Sequence, residues 1–514
     1  MAQTQQSSRP MTEQVQKAVG TILEAGFQVE ADAFKAMMEV AKGGDLDRLV
    51  IEVLKFSNAS TPRPISINKD LVLRAAKSLD LMPGTVALPL TGLGHERRFA
   101  EDIESRLEIV SDPTGKLGTT GAFDDFLHYF RNRFDKMSTL FKQRLDTRST
   151  GNIADALSGG TNGRARFICM VVDKREKAER VTLTVDDYDE EAVVLVDSSN
   201  QNLFRVARGI MRDQVIFLET RKSSGKFLIA EKIVLPEIPD RKPTRAKEEV
   251  YAVLISDVHA GSRVFLEDAF KRVLAWLKGE LGEPNQRRIA GRVKYVTICG
   301  DLFDGIGVYP RQEFDLAVKD IYEQYRVAAT FVREIPEHME VILIPGNHDA
   351  VRQALPQPAM PRDFAGPVLD SRNIVSLGDP AEVKLHGVHF LLYHGTSLMD
   401  IVSSVPGFDY QRPVEIMEHQ LKMRHLAPEY GKQTPIGPEQ EDWLVVDRVP
   451  DVFQSGHIHV SGSGAYRGTT IVNSGAWQGQ TDYQKRMGLE PKPGILPIVN
   501  LQTLQVHTID FLSG

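Results

Sequence analysis

Seven side chains of types that ligate metal ions fall in five short motifs of the C-terminal half of the chain. In chain order the motifs are DxH at 257–259, GDxxDG at 300–305, GNHD at 346–349, HG at 394–395 and GHxH at 456–459. The candidate ligands are Asp257, His259, Asp301, Asn347, His394, His457 and His459. If they converge, three Asp or Asn oxygens and four imidazole nitrogens are enough to hold two divalent ions.

A pair of divalent metals activates water and clamps a phosphate oxygen during in-line displacement, so phosphoester hydrolysis is the chemistry that this ligand set indicates. We expect Mn²⁺, with Fe²⁺, Zn²⁺ and Mg²⁺ as alternatives, and the absence of thiolates near the motifs argues against a structural zinc site. A single DxH or HxH motif is weak evidence, because an isolated histidine is usually structural. The ordered series of five is the stronger signal.

Apolar runs typical of buried strands precede the motifs, which places the ligands where α/β folds bind their substrates. The runs include VYAVLIS (250–256), YVTIC (295–299), VILIP (341–345) and HFLLYH (389–394). Glycine beside Asp301, Asn347, His394 and His457 permits the sharp turns that bring side chains from separate strands to one point. Helical spacing at 264–281 and 315–333 completes an α/β layered domain with a mixed sheet.

The rest of the chain changes periodicity several times, which indicates a multidomain α/β protein. We predict a helical N-terminal domain over 1–80 with a break at Gly43-Gly44, a linker over 81–122, an amphipathic helix plus a small barrel over 123–240, and the α/β domain over 241–514. Five short β-rich runs between 164 and 235 favour an OB-fold for the barrel. Such a barrel either binds single-stranded DNA or packs against another subunit.

An apolar helical stripe runs from Phe123 to Leu145, and basic residues outnumber acidic ones between Arg131 and Arg148. Packing of this helix on its neighbours and contact with nucleic acid are both open interpretations. The net charge of −7 means that any nucleic-acid contact needs a local basic patch.

Two cysteines, Cys169 and Cys299, lie in apolar runs and are expected to be buried free thiols. A secretory leader and a membrane-length apolar stretch are both lacking from the sequence, so we expect a cytoplasmic, nucleoid-associated protein without membrane attachment.

The five-motif series resembles the calcineurin-like metallophosphoesterase superfamily over about residues 250–480. Three further segments, GNHDAVRQALPQP (346–358), 473–494 and DDFLHYFRNRF (124–134), extend the resemblance over nearly the whole chain to the small-subunit family of archaeal family D DNA polymerases. This resemblance implies a phosphodiesterase β-sandwich core with flanking helices, preceded by an OB-fold and a small helical N-terminal domain.

The resemblance also implies roles for individual residues. Asp257, His259 and His459 would hold one metal, Asn347, His394 and His457 the other, and Asp301 would bridge the two. His348 would protonate the leaving oxygen or stabilise the transition state, and Asp304 would orient it.

The implied activity is 3′→5′ proofreading exonuclease on DNA with a single-stranded or mismatched 3′ end, in complex with a large catalytic polymerase subunit. A sliding clamp is a further candidate partner. A non-catalytic architectural subunit and a stand-alone repair nuclease are the alternatives. The residues predicted to contact the partner subunit are Trp477, Gln478, Gln480, Tyr483 and Lys485. Burial of this run in the domain's own core is the competing interpretation.

Overall fold

The computed structural model describes residues 11–40, 46–59, 66–78, 98–160, 162–223 and 227–513. It divides into two compact units, Met1–Val86 and Ala87–Gly514. The predicted break at Gly43-Gly44 and the beginning of the predicted linker, 81–97, lie outside the described residues. Among the described helices, none combines the length and the hydrophobicity that crossing a membrane requires.

Helices dominate the first unit. Its elements are α1 (Met11–Glu24), β1 (Gln28–Val29), α2 (Ala31–Val40), α3 (Leu46–Ala59), β2 (Ser66–Ile67) and α4 (Lys69–Ser78). Apolar residues three and four positions apart fall on one face of each helix, and Ile22, Leu49 and Val53 are fully buried in a shared core.

The second unit begins with a 3₁₀ turn, a strand and a long helix, which lead into a small barrel. The elements are Phe99–Asp102 (3₁₀), β3 (Leu107–Ser111), α5 (Phe123–Lys142), α6 (Ile153–Ser158), β4 (Arg164–Lys177), β5 (Arg180–Asp186), β6 (Glu191–Asp197), α7 (Gln201–Arg208), β7 (Val215–Lys222) and β8 (Phe227–Val234). Strands β4–β8 form a closed barrel in the order β4-β5-β6-β8-β7. Its five strands occupy the five β-rich runs of the sequence, and Cys169 is buried in its core.

One predicted irregular segment is wrong. The linker predicted over 81–122 contains β3, which pairs antiparallel with residues 381–385 at the edge of a sheet. The strand was missed because an edge strand buries little side-chain area. Ile109 is 51% exposed, so the segment lacks the continuous apolar run that identifies an inner strand.

Packing accounts for the central part of the basic face of α5. Arg133 is completely buried, and its Nε donates to Asp442 Oδ2 at 2.7 Å. Lys136 Nζ donates to Glu441 Oε1 at 2.8 Å. Both cations point into the α/β domain and are thereby removed from any basic surface.

The remaining elements form two sheets and the helices that cover them. They are β9 (Tyr251–Ile255), α8 (Glu267–Leu277), α9 (Pro284–Ala290), β10 (Val293–Cys299), a 3₁₀ turn (Gln312–Phe314), α10 (Ile321–Arg333), β11 (Glu340–Ile344), α11 (Arg362–Leu369), β12 (Ile374–Ser376), β13 (Ala381–Leu385), β14 (Val388–Leu392), α12 (Leu398–Ser404), α13 (Pro413–Met423), β15 (Val452–Ser455), β16 (Gly462–Tyr466), β17 (Thr469–Asn473), α14 (Asp482–Met487), β18 (Ile495–Asn500) and β19 (Val506–Asp510). The predicted mixed α/β, multidomain organisation is confirmed.

Two six-stranded sheets pack against each other. Their orders are β12-β11-β10-β9-β18-β19 and β16-β17-β15-β14-β13-β3. Leu254 and Ile342 of the first sheet share a buried core with Val383 and Phe390 of the second. Strands β9 to β12 run parallel, and so do β14, β15 and β17, so the carboxyl ends of each group lie at one edge of its sheet.

A buried histidine at a helix surface predicts a loss of stability in acid. His419 of α13 is 8% exposed, and its ring lies 5.1 Å from that of Phe408. Burial, reinforced by the charge of Lys422 and Lys174, lowers the pKa of His419 to about 4. The unfolded chain, with a His pKa of ~6.5, therefore binds the proton first, so stability falls as the pH drops from about 6.5 to about 4.

For this one histidine we expect a loss of roughly 2–4 kcal/mol across that window. Thermal unfolding of wild type and His419→Gln from pH 7.5 to 4 measures it, and the variant should show the shallower decline. His128→Gln, at an exposed position of α5, is the matched control. Equal declines in wild type and His419→Gln would contradict the assignment.

Candidate metal centre

All seven predicted ligands lie in loops that follow the carboxyl ends of β9, β10, β11, β14 and β15. Three groups of side chains place potential ligand atoms within 4.8 Å of one another. Two of them are triads of predicted ligands, Asp257, His259, His459 and Asp301, His394, His457, and the third is His259, Asp304 and His348. The remaining candidate, Asn347, has its Oδ1 3.1 Å from His394 Nε2. The sequence motifs therefore meet at one point, although they span about two hundred residues.

Asp301 lies between the two triads. Its Oδ2 is 3.3 Å from His394 Nε2 and 3.8 Å from His259 Nε2. In the first triad, His459 Nε2 lies 3.4 Å from Asp257 Oδ1 and 3.1 Å from His259 Nε2. Asp301 thus occupies the position from which one carboxylate reaches both groups.

Strained backbone accompanies the site. Asp257, His259, Asp301, His457 and His459 all have φ between 52° and 69°. Left-handed conformations cost a non-glycine residue about 1–2 kcal/mol each, and they concentrate at functional sites. Five candidate ligands have this left-handed backbone, which indicates that the placement of their side chains takes precedence over local backbone preference.

The charges of the site are unbalanced in a way that fits bound cations. Burial opposes ionisation of Asp301, but the imidazoles of His394 and His348 outweigh it and hold its pKa well below the usual range. Burial likewise opposes protonation of His394, yet the carboxylates of Asp301, Asp257 and Asp379 raise its pKa to about 10. Without a cation, these buried carboxylates depend on a protonated histidine for charge compensation.

The donor set passes a further test of fit. His259 Nε2 and His459 Nε2 face each other at 3.1 Å, a distance at which two lone pairs repel unless a proton or a cation lies between them. Oxygen and imidazole nitrogen donors suit Mn²⁺, Fe²⁺ and Zn²⁺. The residues present therefore fit divalent metal ions.

His348 faces the cavity beside the ligands, and its side chain is 14% exposed. Its Nδ1 lies 2.6 Å from the backbone carbonyl oxygen of Asp304, which fixes that nitrogen as the donor. The rings of His348 and His259 are 4.6 Å apart.

Asp304 contacts two histidines through different groups, His259 through its carboxylate and His348 through its backbone carbonyl. Its carboxylate lies 3.9 Å from His348 Nδ1 but 3.1 Å from His259 Nδ1, so the carboxylate orients the ligand and only the backbone carbonyl orients His348. Gln478 Nε2 donates to the same carboxylate oxygen at 3.0 Å. Asp304 is therefore placed to orient His348 through its backbone carbonyl and His259 through its carboxylate.

Sequence reasoning missed several positioning residues. Asp349 Oδ2 accepts from the backbone N–H of Gly346 at 2.7 Å and of Asp301 at 2.9 Å, and burial followed by the charge of Asp301 raises its pKa to about 7. Asp379 Oδ1 accepts from the N–H of His394 at 3.0 Å. Asp349 is the last residue of the GNHD motif, so the sequence carried a signal for it, whereas Asp379 lies in none of the five motifs.

The residues predicted to contact a partner subunit, between Trp477 and Lys485, all make contacts within this chain. Trp477 is 1% exposed and packs in the core against Phe270 and Phe511, so it cannot anchor an interface. The prediction failed because an indole beside polar residues has the same sequence signature in a core as at an interface. Gln478 is also buried, beside Asp304. Gln480 Nε2 donates to the Leu489 carbonyl, the ring of Tyr483 contacts that of Tyr309 in a tilted arrangement, and Lys485 pairs with Asp482.

A cavity of about 390 Å³ opens beside the ligands. Its floor includes His259, Asp301, His348, His457 and His459, and its wall includes Val308, Tyr309, Met399, Tyr410, Tyr483 and Met487. It therefore combines candidate metal ligands with a wall of aromatic, apolar and polar side chains.

Comparison with known proteins identifies the family. The family model for the B subunit of DNA polymerases alpha and epsilon matches residues 253–460. The DNA polymerase II small subunit of Archaeoglobus fulgidus is 39% identical over 476 residues, which cover 92% of this chain and 93% of that protein. The chain belongs to the DNA polymerase II small-subunit family.

Other members of the small-subunit family agree. The protein of Methanothermobacter thermautotrophicus is 40% identical over 395 residues, covering 76% of this chain and 81% of its own. A solved archaeal phosphodiesterase aligns with 51% of this chain and 99% of its own at 14% identity and a TM-score of 0.26, which is too low to support an inference. The family resemblance found in the sequence is confirmed by the curated relatives.

Proposed function

We propose that this chain is a metal-dependent 3′→5′ exodeoxyribonuclease that removes nucleotides from single-stranded or mismatched 3′ ends. It would work as the small subunit of a heteromeric DNA polymerase, in complex with a large catalytic subunit. The observation that supports the nuclease proposal is the convergence of seven oxygen and nitrogen ligands on one cavity beside His348. The family's name supports the polymerase partnership.

The residues would divide between two ions as their contacts suggest. Asp257, His259 and His459 would hold one ion, Asn347, His394 and His457 the other, and Asp301 would reach both. Such a pair supplies an activated water and a clamp on a phosphate oxygen when bound. Mn²⁺ is our first assignment, with Fe²⁺, Zn²⁺ and Mg²⁺ as alternatives.

His348 supplies the proton that the reaction needs. Water adds its oxygen to phosphorus as the bond from phosphorus to the 3′ oxygen of the shortened strand breaks. That leaving oxygen takes a proton from Nε2 of His348 in its imidazolium form, because Nδ1 keeps its own proton in the hydrogen bond to the Asp304 carbonyl. The carboxylate of Asp304, supported by Gln478, keeps the imidazole of His259 in orientation.

The barrel is proposed to be an OB-fold. Its strands follow the order first, second, third, fifth, fourth, and the fourth closes on the first. We also propose that the two-sheet domain has the calcineurin-like phosphodiesterase architecture, with its catalytic edge formed by the carboxyl ends of β9, β10, β11, β14 and β15. A cytoplasmic, nucleoid-associated location follows from this function.

Digestion of end-labelled DNA tests the proposal. The purified chain is chelated, reloaded with Mn²⁺, and incubated with 3′-labelled or 5′-labelled single-stranded DNA, alone and with the large subunit from the same genome. We expect release of the 3′ label as mononucleotide, a ladder from the 5′ label, intact closed circles, and co-elution of the two chains. The nuclease proposal would be overturned by DNA degradation that does not need metal or by cleavage of closed circular single strands. It would also be overturned if the DNA stayed intact with every metal tested.

A further inference from the structure

A pair of neighbouring tyrosines, whose rings are tilted against each other, forms part of the cavity wall. The ring centroids of Tyr309 and Tyr483 are 5.0 Å apart, with an angle of 30° between the planes. Both side chains are half-buried, and both line the cavity. The two rings come from sequence positions that are 174 residues apart, so the pair exists only in the folded chain.

The loop that holds Tyr309 is tied to the catalytic floor. Gln312 Nε2 donates at 2.7 Å to the carbonyl oxygen of Asp304, the same atom that accepts from His348 Nδ1. The Tyr309 hydroxyl donates to Asp315 Oδ2 at 3.0 Å. These bonds fix the Tyr309 ring centroid 6.2 Å from that of His348.

Tyr483 is tied to the same floor from the other side. It lies on α14, where Thr481 Oγ1 accepts from the Gln484 N–H at 3.1 Å as a helix cap. The Gln484 side-chain amide lies 3.1 Å from Nδ1 of the candidate ligand His459. None of the residues of α14 is buried, so Tyr483 does not serve to pack this helix into a core.

We propose that Tyr309 and Tyr483 form a platform on which the 3′-terminal nucleobase stacks while its phosphodiester lies at the metal centre. The inference rests on the proposed exonuclease function and names how that site holds its substrate. Aromatic rings bind the π-face of any base, so the platform accepts all four terminal nucleotides. The fixed spacing between Tyr309 and His348 then positions the scissile bond of the terminal nucleotide.

Stacking is tested directly with the fluorescent base 2-aminopurine at the 3′ end of a single-stranded oligonucleotide, in chelator so that no cleavage occurs. We expect quenching by the wild-type chain and by Tyr309→Phe and Tyr483→Phe, and its loss in the corresponding Ala variants. Tyr322→Ala is the matched control, because Tyr322 stacks on Phe364 at 5.4 Å outside the cavity lining. Tyr483→Leu retains apolar bulk and replaces the Ala variant if that variant fails to fold.

Hydrolysis kinetics give a second readout. We expect each Ala variant to lose about 5- to 150-fold in kcat/KM on an ordinary 3′ end. The wild-type chain should lose a similar factor on an oligonucleotide whose 3′-terminal residue is abasic, and the Ala variants should lose little more on that substrate. The effects of the Ala substitution and of removing the base would then be non-additive, which indicates direct contact between the ring and the base. General destabilisation of the protein would not produce this non-additivity.

The outcomes separate the two proposals. Wild-type hydrolysis with unquenched 2-aminopurine, or Ala variants that retain the wild-type preference for a base over an abasic end, would overturn the platform and leave the exonuclease intact. Quenching by the wild-type chain without hydrolysis under any metal would overturn the exonuclease and support a platform that binds DNA ends.

Discussion

Replacing His348 by Ala is expected to lower DNA hydrolysis about 10²- to 10⁴-fold while bound metal remains, because general acid catalysis contributes a factor of that size. The structure supports this separation. His348 belongs to neither triad of predicted ligands, although it forms a third group with His259 and Asp304, and its Nδ1 is engaged by the Asp304 carbonyl. In the imidazolium form, the remaining nitrogen, Nε2, donates its proton to the leaving oxygen. Metal analysis of the purified variant, followed by rate measurement at saturating Mn²⁺, tests the expectation.

Two matched variants sharpen this test. Asp301→Asn should lose metal and activity together, because Asp301 lies between the triads. Asp304→Asn should affect metal content through His259 while leaving the His348 contact in place, since His348 bonds to the backbone of Asp304 rather than to its carboxylate. Near-normal rates in metal-replete His348→Ala would remove the acid role from this residue.

The residues that converge at the candidate metal centre were predictable because each belongs to a short-range sequence pattern. A motif such as GHxH fixes His457 and His459 to one turn, and an apolar run before it predicts a strand end, where ligands converge. The residues that contact and position these side chains show no comparable sequence pattern. Gln484, which contacts His459, and Gln478, which contacts Asp304, are polar residues whose roles arise from the fold that brings them to the site.

Two segments were predicted wrongly because local sequence does not reveal tertiary contacts. Trp477 follows the last strand-end motif in a polar run, and its burial against Phe270 depends on a helix more than 200 residues earlier. The strand Leu107–Ser111 is recognisable only through its pairing with Ala381–Leu385. Where tertiary contacts decide burial or pairing, local composition does not determine the outcome.

A buried ion pair joins α5 to the two-sheet domain. Arg133 Nε donates to Asp442 Oδ2 at 2.7 Å, and both side chains are at most 1% exposed. The same carboxylate oxygen lies 2.9 Å from His425 Nε2. Burial disfavours ionisation of Asp442, but the charge of Arg133 outweighs it and holds the pKa of the carboxyl well below its usual range.

Asp442→Asn is therefore expected to destabilise the second unit by about 3–5 kcal/mol, because it leaves the Arg133 guanidinium buried without a counter-charge. Chemical unfolding of the full-length chain, followed by tryptophan fluorescence, measures the loss. Glu415→Gln is the matched control, since the Arg412–Glu415 pair is about half exposed and should contribute no more than ~1 kcal/mol. The double variant Arg133→Met, Asp442→Leu should recover much of the loss, because it removes both charges from the interior. If Asp442→Asn cost no more than Glu415→Gln, the pair would not stabilise the contact between α5 and the sheets.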